Sequence, residues 1–194
     1  MKRVILMLVA VMATVSISQA QSVTEAQVKS EIKAVSKKDP NAKAEKKSLR
    51  MELRKLEGQD VNEATKDQFA IDFGKVSDVK WSRSKYYDEA TFMNNGAPLT
   101  AFYDSKSQLV GTTRHEKFAD LPAKIQNSIN NKYKEYAIGQ VLYYQDNEQN
   151  DTDMILFGRQ FEDADSYFVE VSKDAKNSLL QVAKNGDISY FSKL

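Results

Sequence analysis

His115 is the only histidine in this sequence. The chemistry it could support is general-base activation of a serine, which also needs a carboxylate to orient the imidazole. It stands in Thr112-Thr113-Arg114-His115-Glu116-Lys117, the polar end of an expected strand, and no serine occupies a nucleophile-elbow context. No catalytic residue is therefore assigned. Acidic side chains are plentiful, and glycoside hydrolysis needs only two carboxyls at the right separation. A hydrolase using surface carboxylates is the alternative reading, although Glu162, Asp163 and Asp165 lie side by side in one loop where exposure is the simpler expectation. Asp146, Glu148, Asn150 and Asp153 are oxygen-rich, yet an EF-hand loop starting at Asp146 would need glycine where Asp151 stands and glutamate where Phe157 stands. The chain has no cysteine, and phosphate-cradling glycine loops are absent. No metal and no cofactor is expected.

The remaining chemistry is that of aromatic contact. Two aromatics stand side by side at Tyr86-Tyr87, Phe102-Tyr103, Tyr143-Tyr144, Tyr167-Phe168 and Tyr190-Phe191, each in a stretch that reads as strand. Neighbouring side chains on a strand point to opposite faces, so one member of each pair faces the core and the other the far face of the sheet. Parity with polar neighbours selects Tyr87, Phe102, Phe168 and Phe191 for the far face; Tyr144 joins them with less help, its parity neighbours being Leu142 and Gln140. The expectation is an exposed patch of Tyr87, Phe102, Tyr144, Phe168 and Phe191 that binds a protein or peptide, because aromatic anchors give large contact area at low entropic cost. The competing expectation is that the N-terminal basic helices, or a second copy of the chain, cover this face.

The elements that must position these residues occur twice. Asp60 with Glu63 has capping-box spacing, Phe69 and Phe73 recur four apart, and Val79-Lys80-Trp81 opens a strand set. Asp120 and Pro122 then open a second helix, Ile125, Ile129 and Tyr133 form its stripe, and Val141-Leu142-Tyr143 opens the second set. Asn94-Asn95-Gly96 and Asn185-Gly186-Asp187 are hairpin signals. Placing Tyr103 on Val182 and Leu109 on Ile188 sets Asp104-Ser105-Lys106-Ser107 opposite Ala183-Lys184-Asn185-Gly186. The second half alone carries an acidic, amide-rich loop from Gln145 to Asp153. The fold class is α+β: tandem helix plus antiparallel meander units preceded by N-terminal helices.

With 194 residues, 41% of them apolar, the chain is long enough for one sizeable core or two small repeated units. Its 28 basic and 27 acidic residues nearly cancel, which disfavours nucleic acid as a partner. Lys2 and Arg3, an apolar run from Val4 to Val15, and Ser18-Gln19-Ala20 read as a signal peptide over 1–20 cleaved after Ala20. That run is too short for a membrane span; a periplasmic or secreted protein without a span after cleavage is expected. Residues 21–59 are a basic helical extension, with Val28, Ile32 and Val35 on one stripe, Leu49, Leu53 and Leu56 on a second, Asp39-Pro40 between them and Gly58 as a stop. The domain proper is 60–194, in repeats of about 60–118 and 119–194.

Three stretches give these patterns a family resemblance: Val79-Lys80-Trp81, Ala101-Phe102-Tyr103-Asp104 leading to Leu109-Val110, and Asp120-Leu121-Pro122. From Val61 to Leu194 the chain resembles the beta-lactamase-inhibitor-like, PepSY-like proteins of bacterial envelopes. The resemblance implies a sheet whose face forms a concave, non-catalytic binding surface. It carries over no inhibitory contact residue, since fold does not determine function. Where that family commonly has glycine in the first Asp-rich hairpin, this chain has Ser107, which weakens the expectation of a tight turn there.

Overall fold

The computed structural model describes residues 23–36, 40–162 and 164–194. The expected signal peptide with its cleavage after Ala20, and the residues Asp39 and Asp163, lie outside the described residues. Four helices, α1 (Glu25–Ala34), α2 (Ala42–Glu57), α3 (Glu63–Phe73) and α4 (Ala123–Lys132), accompany the strands. The first strands are β1 (Lys80–Arg83), β2 (Asp88–Asn94), β3 (Ala97–Tyr103), β4 (Leu109–Glu116) and β5 (Ala137–Asp146). A short hairpin, β6 (Ile155–Leu156) and β7 (Arg159–Gln160), precedes β8 (Ser166–Lys173), β9 (Lys176–Ala183) and β10 (Ile188–Lys193). One antiparallel sheet of eight strands runs β1-β2-β3-β4-β5-β8-β9-β10, so each half contributes a helix followed by a four-stranded meander.

Both helices pack on the same face. From α3, Phe69 meets Phe92, Ala101 and Tyr103; from α4, Ile125 and Ile129 meet Val141, Tyr143, Tyr167 and Val169. Strand parity thus sends Tyr103, Tyr143 and Tyr167 to the helix side and Phe102, Tyr144 and Phe168 to the other. Tyr86-Tyr87 differs from expectation, because both precede β2 in the β1–β2 connection and both pack on the far side. The bulge in β10 between Tyr190 and Ser192 leaves Tyr190 exposed and turns Phe191 inward.

Local signals explain most boundaries. Asn95 and Gly96 have φ of 50° and 80°, the two positive values that a two-residue hairpin matching strand twist requires. In the β3–β4 turn, Asp104 N–H donates to Gln108 O at 3.0 Å and Ser107 N–H to Asp104 O at 3.0 Å. In the β9–β10 turn the same bonds run from Ala183 to Asp187 at 3.0 Å and from Gly186 to Ala183 at 2.8 Å. Ser107 takes φ of 60° where Gly186 takes 89°. The tight turn forms without glycine because Asp104 Oδ1 accepts from Lys106 N–H (2.8 Å) and Gln108 N–H (3.0 Å), while the Ser107 hydroxyl meets that of Thr65 at 2.9 Å.

Two helix starts differ from the sequence expectation. Asn62, not Asp60, caps α3, its Oδ1 accepting from Ala64 N–H at 3.1 Å. Asp120 ends a 3₁₀ turn, Phe118–Asp120, and Pro122 is itself the N-cap of α4. Gln126 instead satisfies the carbonyls of Ala119 and Leu121 at 3.0 and 2.7 Å. Gly58, with φ of 82°, ends α2 as its position predicts.

Helix α2 is tied to the sheet rather than standing apart from the core. Leu53 and Arg54 are buried. Arg54 donates to Asp88 Oδ1 (3.0 Å), Tyr103 O (3.2 Å) and Glu57 Oε2 (3.3 Å), and Arg83 clamps the same aspartate at 2.6 and 2.8 Å. Thr65 Oγ1 donates to Asp88 Oδ2 at 3.0 Å. Burial works to raise the Asp88 pKa, but the Arg83 and Thr65 hydrogen bonds and the nearby Arg54 outweigh it and hold the carboxyl below its ordinary range.

Candidate functional site

The far face of the sheet, away from α3 and α4, has a closed end and an open end. Tyr87, Phe102, Tyr144, Phe168 and Phe191 do come together on this face. They are not exposed. Each is at most 8% accessible, because residues 147–162, inserted between β5 and β8, fold over them. Met154, Ile155, Leu156 and Phe161 of that insertion are buried in the same cluster. Phe161 is the hub, with ring centroids 5.1 Å from Tyr144, 5.0 Å from Phe168 and 5.8 Å from Phe191, all edge-on. Gly111 makes this packing possible, since a Cβ there would lie 2.6 Å from the Tyr144 ring.

Polar bonds lock the insertion down at both ends. Tyr87 Oη accepts from Ile155 N–H at 2.9 Å. The side-chain amides of Asn147 and Asn150 both donate to Leu109 O, at 2.8 and 3.0 Å. Three of the four oxygen-rich residues named for calcium, Asp146, Asn150 and Asp153, are engaged in structure. Asp146 accepts from the Tyr144 hydroxyl at 2.8 Å, Asn150 caps Thr152 N–H at 3.0 Å, and Asp153 faces Lys43 at 3.4 Å and Gln160. Asp165, from the loop considered for hydrolysis, accepts from Tyr143 (2.9 Å) and Asp146 N–H (2.8 Å) and pairs with Lys184. Burial raises the Asp146 carboxyl, with Asp165 adding to the rise; Asp165 itself is lowered, because its hydrogen bonds, led by Lys184, outweigh burial. Burial and Asp165 push the Tyr143 hydroxyl up to about 12.

The basic face of α2 finds its acidic counterpart within the chain. Lys43 reaches Asp153, Lys47 donates to Gly158 O at 3.1 Å, and Lys46, Arg50 and Asp151 line a cleft of about 350 Å³. Cover of the far face thus comes chiefly from the insertion, with α2 beside it.

At the open end lies a cleft of about 290 Å³. Phe102, Leu142, Phe168 and Leu179 form its floor, Leu156 and Phe157 one wall, and Thr113, His115, Gln140 and Glu170 its polar rim. The tip of the β6–β7 hairpin supplies Phe157, which is 50% exposed although its φ is 50°, a left-handed conformation unusual for a bulky side chain. His115 is exposed on β4, directly across from Leu142. Sequence reasoning missed Phe157, Phe161 and Glu170. The available signal was Met154-Ile155-Leu156-Phe157, an apolar run inside an otherwise polar loop.

A protein proposed to be periplasmic from Bacteroides eggerthii superposes with a TM-score of 0.56 at 14% identity, over 69% of this chain and 89% of that one. A DUF2874 family protein from Bacteroides uniformis gives 0.56 at 16%, over 68% and 89%. A BLIP-like protein from Bacteroides fragilis gives 0.55 at 14%, over 70% and 87%. The fold is beta-lactamase-inhibitor-like. At these identities the likeness extends to the fold alone, and the site of this beta-lactamase-inhibitor-like chain has to be read from its own residues. No protein-family model matches the sequence, and no curated protein matches it. Among the described residues no helix is long and apolar enough to cross a membrane.

Proposed function

We propose that this protein is an exported, non-catalytic binding module that recognises a protein or peptide at the open end of the far sheet face. The observation that carries the reading is Phe157, a large aromatic held half-exposed in a left-handed conformation on the wall of an apolar-floored cleft. Strained, exposed residues that surrounding structure must hold in place concentrate at functional sites, and a concave apolar floor with a few polar groups is the usual form of a binding site. Phe102 and Phe168 of the original aromatic set contribute to the floor. Tyr87, Tyr144 and Phe191 serve the site by seating the insertion. Export follows from the signal peptide read over 1–20, and the periplasmic description of one structural neighbour is in keeping with it.

The test is capture from bacterial envelope extracts with the protein and with Phe157→Ser, followed by direct titration of the purified captured protein. A partner that binds the parent and is lost by the variant, while both unfold at the same temperature, supports the reading. A partner retained by the variant places the binding surface elsewhere.

A further inference from the structure

This inference rests on the reading of the open end as a binding site and deepens it to the kind of group received. We propose that the cleft accepts the side chain of a lysine or arginine presented by a partner protein, its alkyl stem lying against Phe157 and the apolar floor and its cation meeting Glu170.

Charge carries the argument. Glu170 is half-buried in the middle of β8, and the contact its carboxylate makes is a long one, 3.4 Å from the backbone N–H of Gln140. Among the described residues no lysine or arginine lines the cleft or pairs with Glu170. A carboxylate at the edge of Leu142, Phe168 and Leu179 has that one long hydrogen bond and no counter-charge, and a cation brought to it supplies a charge-assisted hydrogen bond. An anionic group would be repelled there. A purely apolar one would complete the desolvation of Glu170 and leave it unpaired.

The position of Glu170 is built into the sheet. Register shifts between Ile138 and Val141 of β5, and the bulge sets Gly139 and Gln140 against Glu170. A Cβ on Gly139 would stand 3.0 Å from both Cβ and Oε2 of Glu170, so glycine is what lets the carboxylate sit where it does. Bulges of this kind re-aim side chains beside functional sites. Phe157 lines the same cleft as Glu170, and an aromatic ring with a carboxylate is the pairing that suits a long cationic side chain, whose stem packs on apolar surface while its head is held by charge.

The test is selection of a phage-displayed library of linear nonapeptides on the protein, on Glu170→Gln and on Phe157→Asn, followed by titration of the best synthetic peptide. The expected result is enrichment of lysine or arginine at one shared position. Affinity should fall at least tenfold with Glu170→Gln, and equally when norleucine replaces that residue in the peptide, an arm that leaves the protein unaltered. Enriched peptides that lack a shared basic residue yet fail to bind Phe157→Asn would overturn the cation inference and leave the binding site standing. Failure to enrich any peptide that depends on Phe157 would overturn both.

Discussion

The closed and open ends of the far sheet face differ in what finishes them. At the closed end, aromatic side chains from β3, β5, β8 and β10 are met by apolar side chains of the insertion, and the polar groups that come with it are hydrogen-bonded to the sheet. At the open end, a cleft is left above the apolar floor, an aromatic is held in a costly conformation, and a half-buried carboxylate has no cation. One end satisfies its own chemistry and the other does not. A surface that stays locally unsatisfied in a folded protein is where a partner has something to contribute.

The sharpest way to break this contrast is to cut the closed end at its hub. Phe161→Ala should cost about 3–5 kcal/mol, as buried phenylalanine truncations do, read from urea unfolding. A loss below about 1 kcal/mol would mean that the insertion is not core. Asp88→Asn should be comparably damaging, about 3–5 kcal/mol, because it removes the carboxylate that Arg54 and Arg83 share and leaves Glu57 as the remaining ion-pair partner of Arg54. It also has a pH signature. The folded-state pKa of Asp88 is depressed, so its contribution is fully present above the unfolded-chain value of about 3.9 and is lost as pH falls through the folded value. Acid should therefore weaken the parent more steeply than Asp88→Asn, and equal slopes would remove Asp88 from the account.

Smaller effects sharpen the comparison. Lys43→Ala breaks a pair whose lysine is largely exposed, and should cost no more than about 1 kcal/mol, shrinking with added salt. Phe157→Asn should change stability by less than about 1 kcal/mol, since asparagine tolerates a positive φ and that relief offsets the weaker packing of a smaller side chain at the hairpin tip. A destabilisation of several kcal/mol, read from thermal unfolding, would make Phe157 a structural residue.

Much of this was legible in the sequence. Alternation along the strands sorted Phe102 from Tyr103, Tyr143 from Tyr144 and Tyr167 from Phe168, because side-chain direction in a strand is fixed by geometry. The equivalence of the Asp104–Ser107 and Ala183–Gly186 turns was legible through spacing alone. What covers a face was not. Parity states which side a residue points to, and exposure depends on whether a distant segment folds over that side. The 147–162 insertion looks polar on average, and its Asn147, Asn150 and Asp153 spend that polarity on hydrogen bonds and an ion pair to the rest of the chain. Glu170 escaped notice for a related reason. One more glutamate among many becomes distinctive only when the β5 bulge and Gly139 place it at a cleft.

The most direct test of the closed end is amide hydrogen exchange of the native protein at Ile155 and Phe161, whose N–H groups donate to Tyr87 Oη at 2.9 Å and to Met154 O at 3.1 Å. The account predicts protection of both amides approaching that of β8 and β9, because the insertion opens only when the sheet's far-side core does. Exchange at both within seconds, while β8 and β9 stay protected, would show a lid that lifts readily from the five aromatics and would contradict a closed end.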